Sequence, residues 1–322
     1  MKKATKIWLI IATFLIILGS IMFTAVLADN NWDFSKTGSV KYETNTYEIG
    51  EDFDNISINT ETTDIIFKYH SEKNCKVVLF EEEKIKHFAK VEDKTLKIGE
   101  TDTREWFDYI QLFSFKNTSI TVYLPRENYL SLNIDTDTSD IKIPKEFKFK
   151  DLKISGDTSD VKLYASVSGL AEIDLSTGDI ELDSVNLGNL KADTTTGDIN
   201  LNSVECEGKI SANVSTGHLN FCDVTAKNLS SSGDTGDSAF KNVIIKEKLS
   251  IERSTGDIKF TDSDSGEIFI KTDTGDVRGS LISEKIFITK TDTGTVLVPK
   301  TTSGGKAEII TDTGDIRLSV NG

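Results

Sequence analysis

The chain has 322 residues, 37% hydrophobic and 28% charged, with 22 Gly, 3 Pro, 3 Cys, 3 His and a formal net charge of −15. The apolar fraction supports a buried core and excludes wholesale disorder, while Cys75, Cys206, Cys222, His70, His87 and His218 never cluster at zinc-ligand spacing. The acidic balance argues against nucleic acid, and against direct binding to anionic membrane or wall polymers.

The first predicted element is a helix. Lys2, Lys3 and Lys6 precede an uncharged run over residues 7–28, which would rise roughly 33 Å, enough to cross a bilayer core. The positive flank orients everything after Asp29 outward. Two readings stand side by side: an uncleaved single-pass anchor over residues 1–28 with the rest extracytoplasmic, or a signal peptide cut after the small pair Val26 and Ala28, releasing a secreted protein. No Cys follows the apolar run, so a lipoprotein anchor is excluded. Loss of residues 1–28 removes three Lys and takes the charge from −15 to −18. Outside the cytoplasm an odd Cys count leaves at least one free thiol, and small buried hydrophobes are expected rather than a Cys206–Cys222 disulfide.

After a linker at 29–39, residues 40–137 read as an interrupted start. Ile56, Ile58, Thr60 and Thr62, then Asp64 and Ile66, make one degenerate coil. Strand-like runs at 76–80, 95–98 and 119–124 follow and are expected to form an inserted meander that caps the N-terminal edge.

From residue 138 to 322 a repeat dominates. Thr-Gly-Asp, Thr-Ser-Asp or a one-residue variant begins at Thr138, Thr158, Thr177, Thr196, Thr216, Thr235, Thr255, Thr274, Thr293 and Thr313, always 19 or 20 residues apart. Before the Thr, apolar residues alternate in steps of two, as in Ile210, Ala212 and Val214. After it they resume out of phase, as in Ile199 and Leu201. That is strand, corner, strand. Gly supplies a backbone conformation closed to most residues, and Asp can bond turn amides. A second corner is expected near Asp183-Ser184, Asn202-Ser203, Cys222-Asp223 and Asn242-Val243. Each coil should point about four apolar side chains inward, and stacking buries them. The fold class is therefore all-β: one N-terminal helix, a strand-rich cap and a single-chain β-solenoid of about ten coils. Ile286 and Ile288 carry the apolar pattern out of phase, which predicts a bulge before Thr293. In the recurring Thr-x-Thr, as at Thr194 and Thr196, the second Thr has inward parity and predicts an internal hydroxyl ladder. The last repeat should form the end of the stack. Self-repulsion predicts a monomer in dilute solution, with weak, salt-promoted association through that coil.

Ile56-x-Ile58-x-Thr60, Leu96-x-Ile98-Gly99, Ile120-Thr121-Val122-Tyr123-Leu124-Pro125 and the repeated Thr-Gly-Asp-Ile-x-Leu resemble the bacterial putative-adhesin family of exported β-strand-repeat domains. The resemblance covers about residues 40–320. It implies a right-handed β-solenoid at the cell surface, in some members encoded beside envelope-stress signalling components, and it supplies no functional residue. His218 and Thr295 depart from the corner Asp.

Three candidate features remain. Asp-Thr-Gly at Asp234, Asp273, Asp292 and Asp312 matches the aspartic-protease tripeptide, but those enzymes need two converging carboxylates, and these copies occupy equivalent points of successive coils. The corner column Asp140, Asp160, Asp179, Asp198, Asp237, Asp257, Asp276 and Asp315 is expected at a spacing of about 4.8 Å. Unit charges that close repel by ~3.5 kcal/mol at an effective dielectric of 20. Lys142, Lys162, Lys259, Arg278 and Arg317 should offset this together with turn amides; a calcium ladder is the alternative. Trp106, Phe107, Tyr109, Leu112, Phe113 and Phe115 form a dense aromatic stretch, either cap packing or an exposed patch for glycan or protein. No cofactor is implied, and no nucleophile sits beside a base. The expected function is a non-catalytic envelope adhesin or scaffold that binds another envelope protein or glycan. The alternatives are an accessory of an envelope-stress signalling system acting through anchor or cap, and a carbohydrate-active β-helix enzyme.

Overall fold

The computed structural model of the chain describes residues 3–29, 32, 41–104 and 117–321. They fall in two compact units, Met1–Glu43 with Glu81–Lys86 and Thr101–Asn117, and Thr44–Phe80 with His87–Glu100 and Thr118–Gly322.

The first unit carries helix α1 (Lys3–Asp29). Its stretch Thr5–Asp29 has a mean hydropathy of 2.6, and its 25 residues rise about 37 Å, long enough to cross a membrane. Thr13, Ser20 and Thr24 donate their hydroxyls to carbonyls of the preceding turn, so these polar groups are satisfied within the helix itself.

The second unit is built of strands. First come β1 (Tyr42–Ile49), β2 (Asn55–Thr62), β3 (Asp64–Tyr69), β4 (Cys75–Glu82), β5 (Ile85–Glu92), β6 (Thr95–Asp102) and β7 (Ser119–Leu124). The regular coils follow as β8 (Asn128–Ile143), β9 (Lys148–Leu163), β10 (Ser166–Thr177), β11 (Ile180–Thr196), β12 (Ile199–Cys206), β13 (Lys209–Thr216), β14 (Leu219–Thr235), β15 (Ser238–Thr255) and β16 (Ile258–Thr274). Last are β17 (Val277–Leu281), β18 (Lys285–Thr293), β19 (Val296–Leu297), β20 (Gly305–Thr313) and β21 (Ile316–Val320).

Coils stack in parallel register one repeat apart, as in Ile173↔Ala192 and Ile180↔Ile199. Each coil has three straight segments rather than two. In the coil from Ile180, the buried side chains are Ile180 and Leu182, then Val185 and Leu187, then Leu190, Ala192 and Thr194. Seven side chains point inward, not four. The second corner lies where expected, at Ser184, Ser203, Asp223, Asn242 and Asp262, all with φ between 48° and 57°. The third was missed because glycine marks it only intermittently: a Cβ at Gly188 would lie 2.2 Å from Ser168 O. Aromatic side chains stack along the core as the coils do, with Phe221, Phe240 and Phe260 at centroid separations of 5.5 and 5.3 Å.

The Thr-Gly corner has a strict steric cause. Gly178 and Gly197 adopt φ of 133° and 143°, and a Cβ on either would meet a carbonyl oxygen of the preceding coil at 2.0 Å. The Thr-Ser corners of β8 and β9 differ. Ser139 and Ser159 turn their side chains inward, and the Ser139 hydroxyl donates to Thr63 O at 2.7 Å.

Stacking departs from chain order at both ends. β2 lies between β6 and β8, and β3 between β7 and β8, all parallel. The insertion thus adds an outer layer, with β4 antiparallel on β7. The expected boundary at 137/138 falls inside β8, whose earlier residues already pair with β2 and β9. At the other end β20 pairs with β16 on one side and β18 on the other, and β21 likewise with β17 and β19. The last repeat in sequence is therefore one layer inside, and β18–β19 form the end layer, contrary to expectation. An edge strand is exposed on one side, and of the two end strands β19 carries the protections edges use: it is two residues long and is followed by Val298, Pro299 and Lys300.

The expected bulge before Thr293 is absent. Lys285↔Gly305 through Thr291↔Thr311 run in unbroken register, so Phe287 and Thr289 keep the inward parity while Ile286 and Ile288 face out. The expectation failed because it assumed that both isoleucines must be covered.

Candidate functional site

The corner carboxylates do form one column, and the geometry explains what they hold. From Asp160 on, each Oδ1 accepts the backbone N–H of the corner residue one layer on: Asp160 from Asp179 at 2.9 Å, Asp179 from Asp198 at 2.8 Å, Asp198 from His218 at 2.7 Å. His218 continues the relay, its Nδ1 accepting from Asp237 at 3.1 Å. The relay runs on through Asp237, Asp257 and Asp276 to Asp315, whose carboxylate accepts from Thr295 at 2.7 Å. Thr295 stands in the end layer, and among the described residues no further corner amide follows it. Both departures from Asp thus have a place in the ladder. Arg317 pairs with Asp315 at 2.7 Å, and Arg278 lies against Asp257 and Asp276. Lys162 turns instead to Glu181 at 3.4 Å. Partial burial, with Asp64 and Asp160 nearby, holds the Asp140 carboxyl above its ordinary value.

In Thr-x-Thr it is the first residue, not the second, that is internal. Thr136, Thr194, Thr272 and Thr311 are buried, whereas Thr196, Thr274 and Thr313 are exposed. The straight segment ends at the first Thr, and the approach to the corner turns the second outward. Thr194 and Thr311 donate to the carbonyls of the corner glycines Gly178 and Gly275, at 3.1 and 3.2 Å.

A row of outward polar side chains runs beside this column. Asp174, Asp193, Asn213, Ser232, Glu252 and Lys271 occupy one register position on consecutive layers, and they line a groove of about 430 Å³. Asn213 donates to Asp193 at 2.7 Å and accepts from Ser232 N and Oγ at 3.0 and 2.9 Å. Beneath the row lies Arg253, 3% exposed at an inward position. Its guanidinium donates to Val214 O at 3.0 Å and to the Ser238 and Ser231 hydroxyls. Gly233 makes the room, since a Cβ there would lie 1.9 Å from an Arg253 nitrogen. Burial lowers the pKa of this guanidinium, and Asp234 works against the shift. Sequence reading passed over this seat; its signal was an Arg at an inward step one layer above a Gly, with Ser231 and Ser238 replacing core aliphatics.

A second polar cluster sits inside the N-terminal coils. Thr60 donates to Glu100 at 2.8 Å, and His87 Nε2 lies 3.1 Å from Thr60 Oγ1 and 3.3 Å from Glu100. Burial alone would raise Glu100, but hydrogen bonds from His87 and Thr60 outweigh it and the carboxyl rests below its ordinary value. Cys75, Cys206 and Cys222 are free thiols, the first two buried. Burial pushes Cys75 up to about 12. Among the described residues no group of three or more His, Cys, Asp or Glu side chains converges on a metal position. Trp106, Phe107, Tyr109, Leu112, Phe113 and Phe115 lie outside the described residues.

No curated protein sequence matches the chain. A crystal structure described as a putative adhesin from Parabacteroides merdae is similar at 15% identity with a TM-score of 0.51, covering 75% of this chain and 97% of that one. Another so described, from Parabacteroides distasonis, gives 13% identity and 0.51, covering 85% and 98%. At such identities the likeness shows the fold. The family model of Toastrack DUF4097 matches residues 53–221 and 207–322, which together span the strands from β2 to β21, and the chain belongs to that family.

Proposed function

We propose that this chain is a non-catalytic module of the cell envelope, held at the membrane by α1 with its strands on the outer side, and that it binds another envelope protein or glycan through the side of the solenoid. The observation that carries this reading is the row from Asp174 to Lys271. Six polar side chains repeat at the strand spacing of about 4.8 Å over a groove of about 430 Å³, on a backbone locked by the corner ladder. Such a row offers fixed donors and acceptors to an extended partner at little ordering cost. The one hydroxyl of the row is bonded to Asn213 rather than to a base, which suits recognition rather than attack. The names of the similar Parabacteroides structures agree with an adhesive role, and α1 agrees with an anchor.

The test is crosslinking of intact envelopes that hold the full chain, followed by recovery of what is attached. Ser232→Trp fills the groove from an exposed position and should reduce the recovered partner at least tenfold while leaving the strand circular dichroism unchanged. Equal recovery from the variant would contradict the reading.

A further inference from the structure

The end layer differs from every layer beneath it in what it leaves uncovered. β18 pairs with β20 along one edge, and among the described residues no strand pairs with its other edge. Ile286 and Ile288 are 44% and 51% exposed, and Phe287 between them is only partly buried against the core. Residues 282–300 hold Lys285, Lys290 and Lys300 against Glu284 and Asp292, on a chain whose net charge is −15. This segment therefore adds no self-repulsion of its own between acidic molecules, and a free strand edge flanked by exposed isoleucines is a template for another strand.

The geometry points to a second copy of this chain as the occupant, with β18 pairing antiparallel to its counterpart about a two-fold axis at Phe287. Antiparallel pairing of a strand with itself is what a two-fold contact produces. That register sets Phe287 opposite itself, Ile286 opposite the second copy's Ile288, and Glu284 opposite the second copy's Lys290. Glu284, Ile286, Ile288 and Lys290 share the outward parity, so two apolar pairs and two opposite-charge pairs align on one face. Moving the axis one residue, to Ile288, would place Glu284 against Asp292 and Ile286 against Lys290. The charges therefore select the register. The other end of the stack offers the precedent, where β4 lies antiparallel on β7 and covers its free edge. Lys285 holds the end layer ready: it is 2% exposed and reaches Asp264 at 2.6 Å.

Full-length chain in membranes, carrying Cys222→Ser to remove the half-exposed native thiol, tests this directly. Phe287→Cys should give disulfide-linked dimers on oxidation, and Thr291→Cys, four residues from the axis, should give at least tenfold less. In the Phe287→Cys background, Glu284→Lys or Lys290→Glu should weaken association about tenfold, and the two together should restore it. Light scattering of the detergent-solubilised charge variants with Phe287 intact repeats the comparison without the new thiol. Absence of the Phe287→Cys dimer, equal crosslinking at Thr291→Cys, or failure of the paired reversal to restore association would overturn the proposal.

Discussion

Between Asp160 and Asp276 the chain stacks in the order in which it is written, whereas beyond Leu281 it places β18 outermost and returns to lay β20 beneath it. The two regions share the same repeat, the same corner and the same spacing. What separates them is the number of neighbours. An inner coil is paired on both edges, so register and hydrophobic parity decide its place. An end layer has one unpaired edge, and the segment that bears it is the one with Pro299, Lys300 and a two-residue strand. Repeat phase thus tells which residues face in, and it does not tell which repeat lies next to which.

The largest effect that would break this comparison is expected at the inner corners. Gly197→Val adds a Cβ 2.0 Å from Gly178 O at a φ of 143°, and should cost about 3 kcal/mol or more in urea unfolding. Ser159→Gly, which removes one hydroxyl bonded to the Ser139 amide, should cost about 1 kcal/mol. Equal costs would mean that the ladder does not hold the inner coils.

Next comes the end layer. Lys285→Ala strips Asp264 of a cation at 2.6 Å and is expected to cost about 3 kcal/mol. Hydrogen exchange should speed up in β18 and β19 and stay unchanged in β11 to β14. Acceleration throughout would show that the end layer is not separable from the rest.

Acid separates two carboxylates of opposite sign. Glu100 sits below its ordinary value, so its stabilisation is present above the unfolded value and disappears as pH falls through the folded one. Asp140 sits above its ordinary value, so its ionised form weighs against the fold and lowering the pH relieves it. At neutral pH, Glu100→Gln should lower the thermal midpoint and Asp140→Asn should raise it slightly. As the pH falls through the carboxylate range both differences should shrink. Shifts of the same sign at neutral pH would contradict the assignment.

The smallest effect is expected at a single rung. Asp198→Asn keeps an acceptor oxygen for the His218 amide and should change stability by less than about 1 kcal/mol. Chelator should leave the midpoint of the unmodified chain in place, whereas a drop of several degrees restored by calcium would make the column a cation ladder.

Much of this architecture is legible in the amino-acid sequence alone. The corner column and the second corner at Ser184 and its equivalents follow from phase and period, because stacking turns a period into a contact. The third corner did not, since only Gly169, Gly188, Gly208, Gly266 and Gly305 mark it and the intervening coils use Lys or Glu. Ile286 and Ile288 misled because apolar residues were taken to face in, and at an edge that premise fails. Arg253 stayed hidden because its accommodation depends on Gly233, a residue one layer away and twenty earlier in the chain.

The central claim is the layer order at the C-terminal end, and cysteine pairs at exposed corner threonines test it most directly. Thr274 and Thr313 are register partners, as are Thr313 and Thr293, which sets Thr274 and Thr293 two layers apart, about 9.6 Å at the usual strand spacing. A disulfide cannot bridge much beyond 7 Å between Cα atoms. In the Cys222→Ser background, Thr274→Cys with Thr313→Cys should crosslink within one chain on mild oxidation, and Thr274→Cys with Thr293→Cys should not. The reverse outcome would show that the coils stack in sequence order and that β18 is not the end of the solenoid.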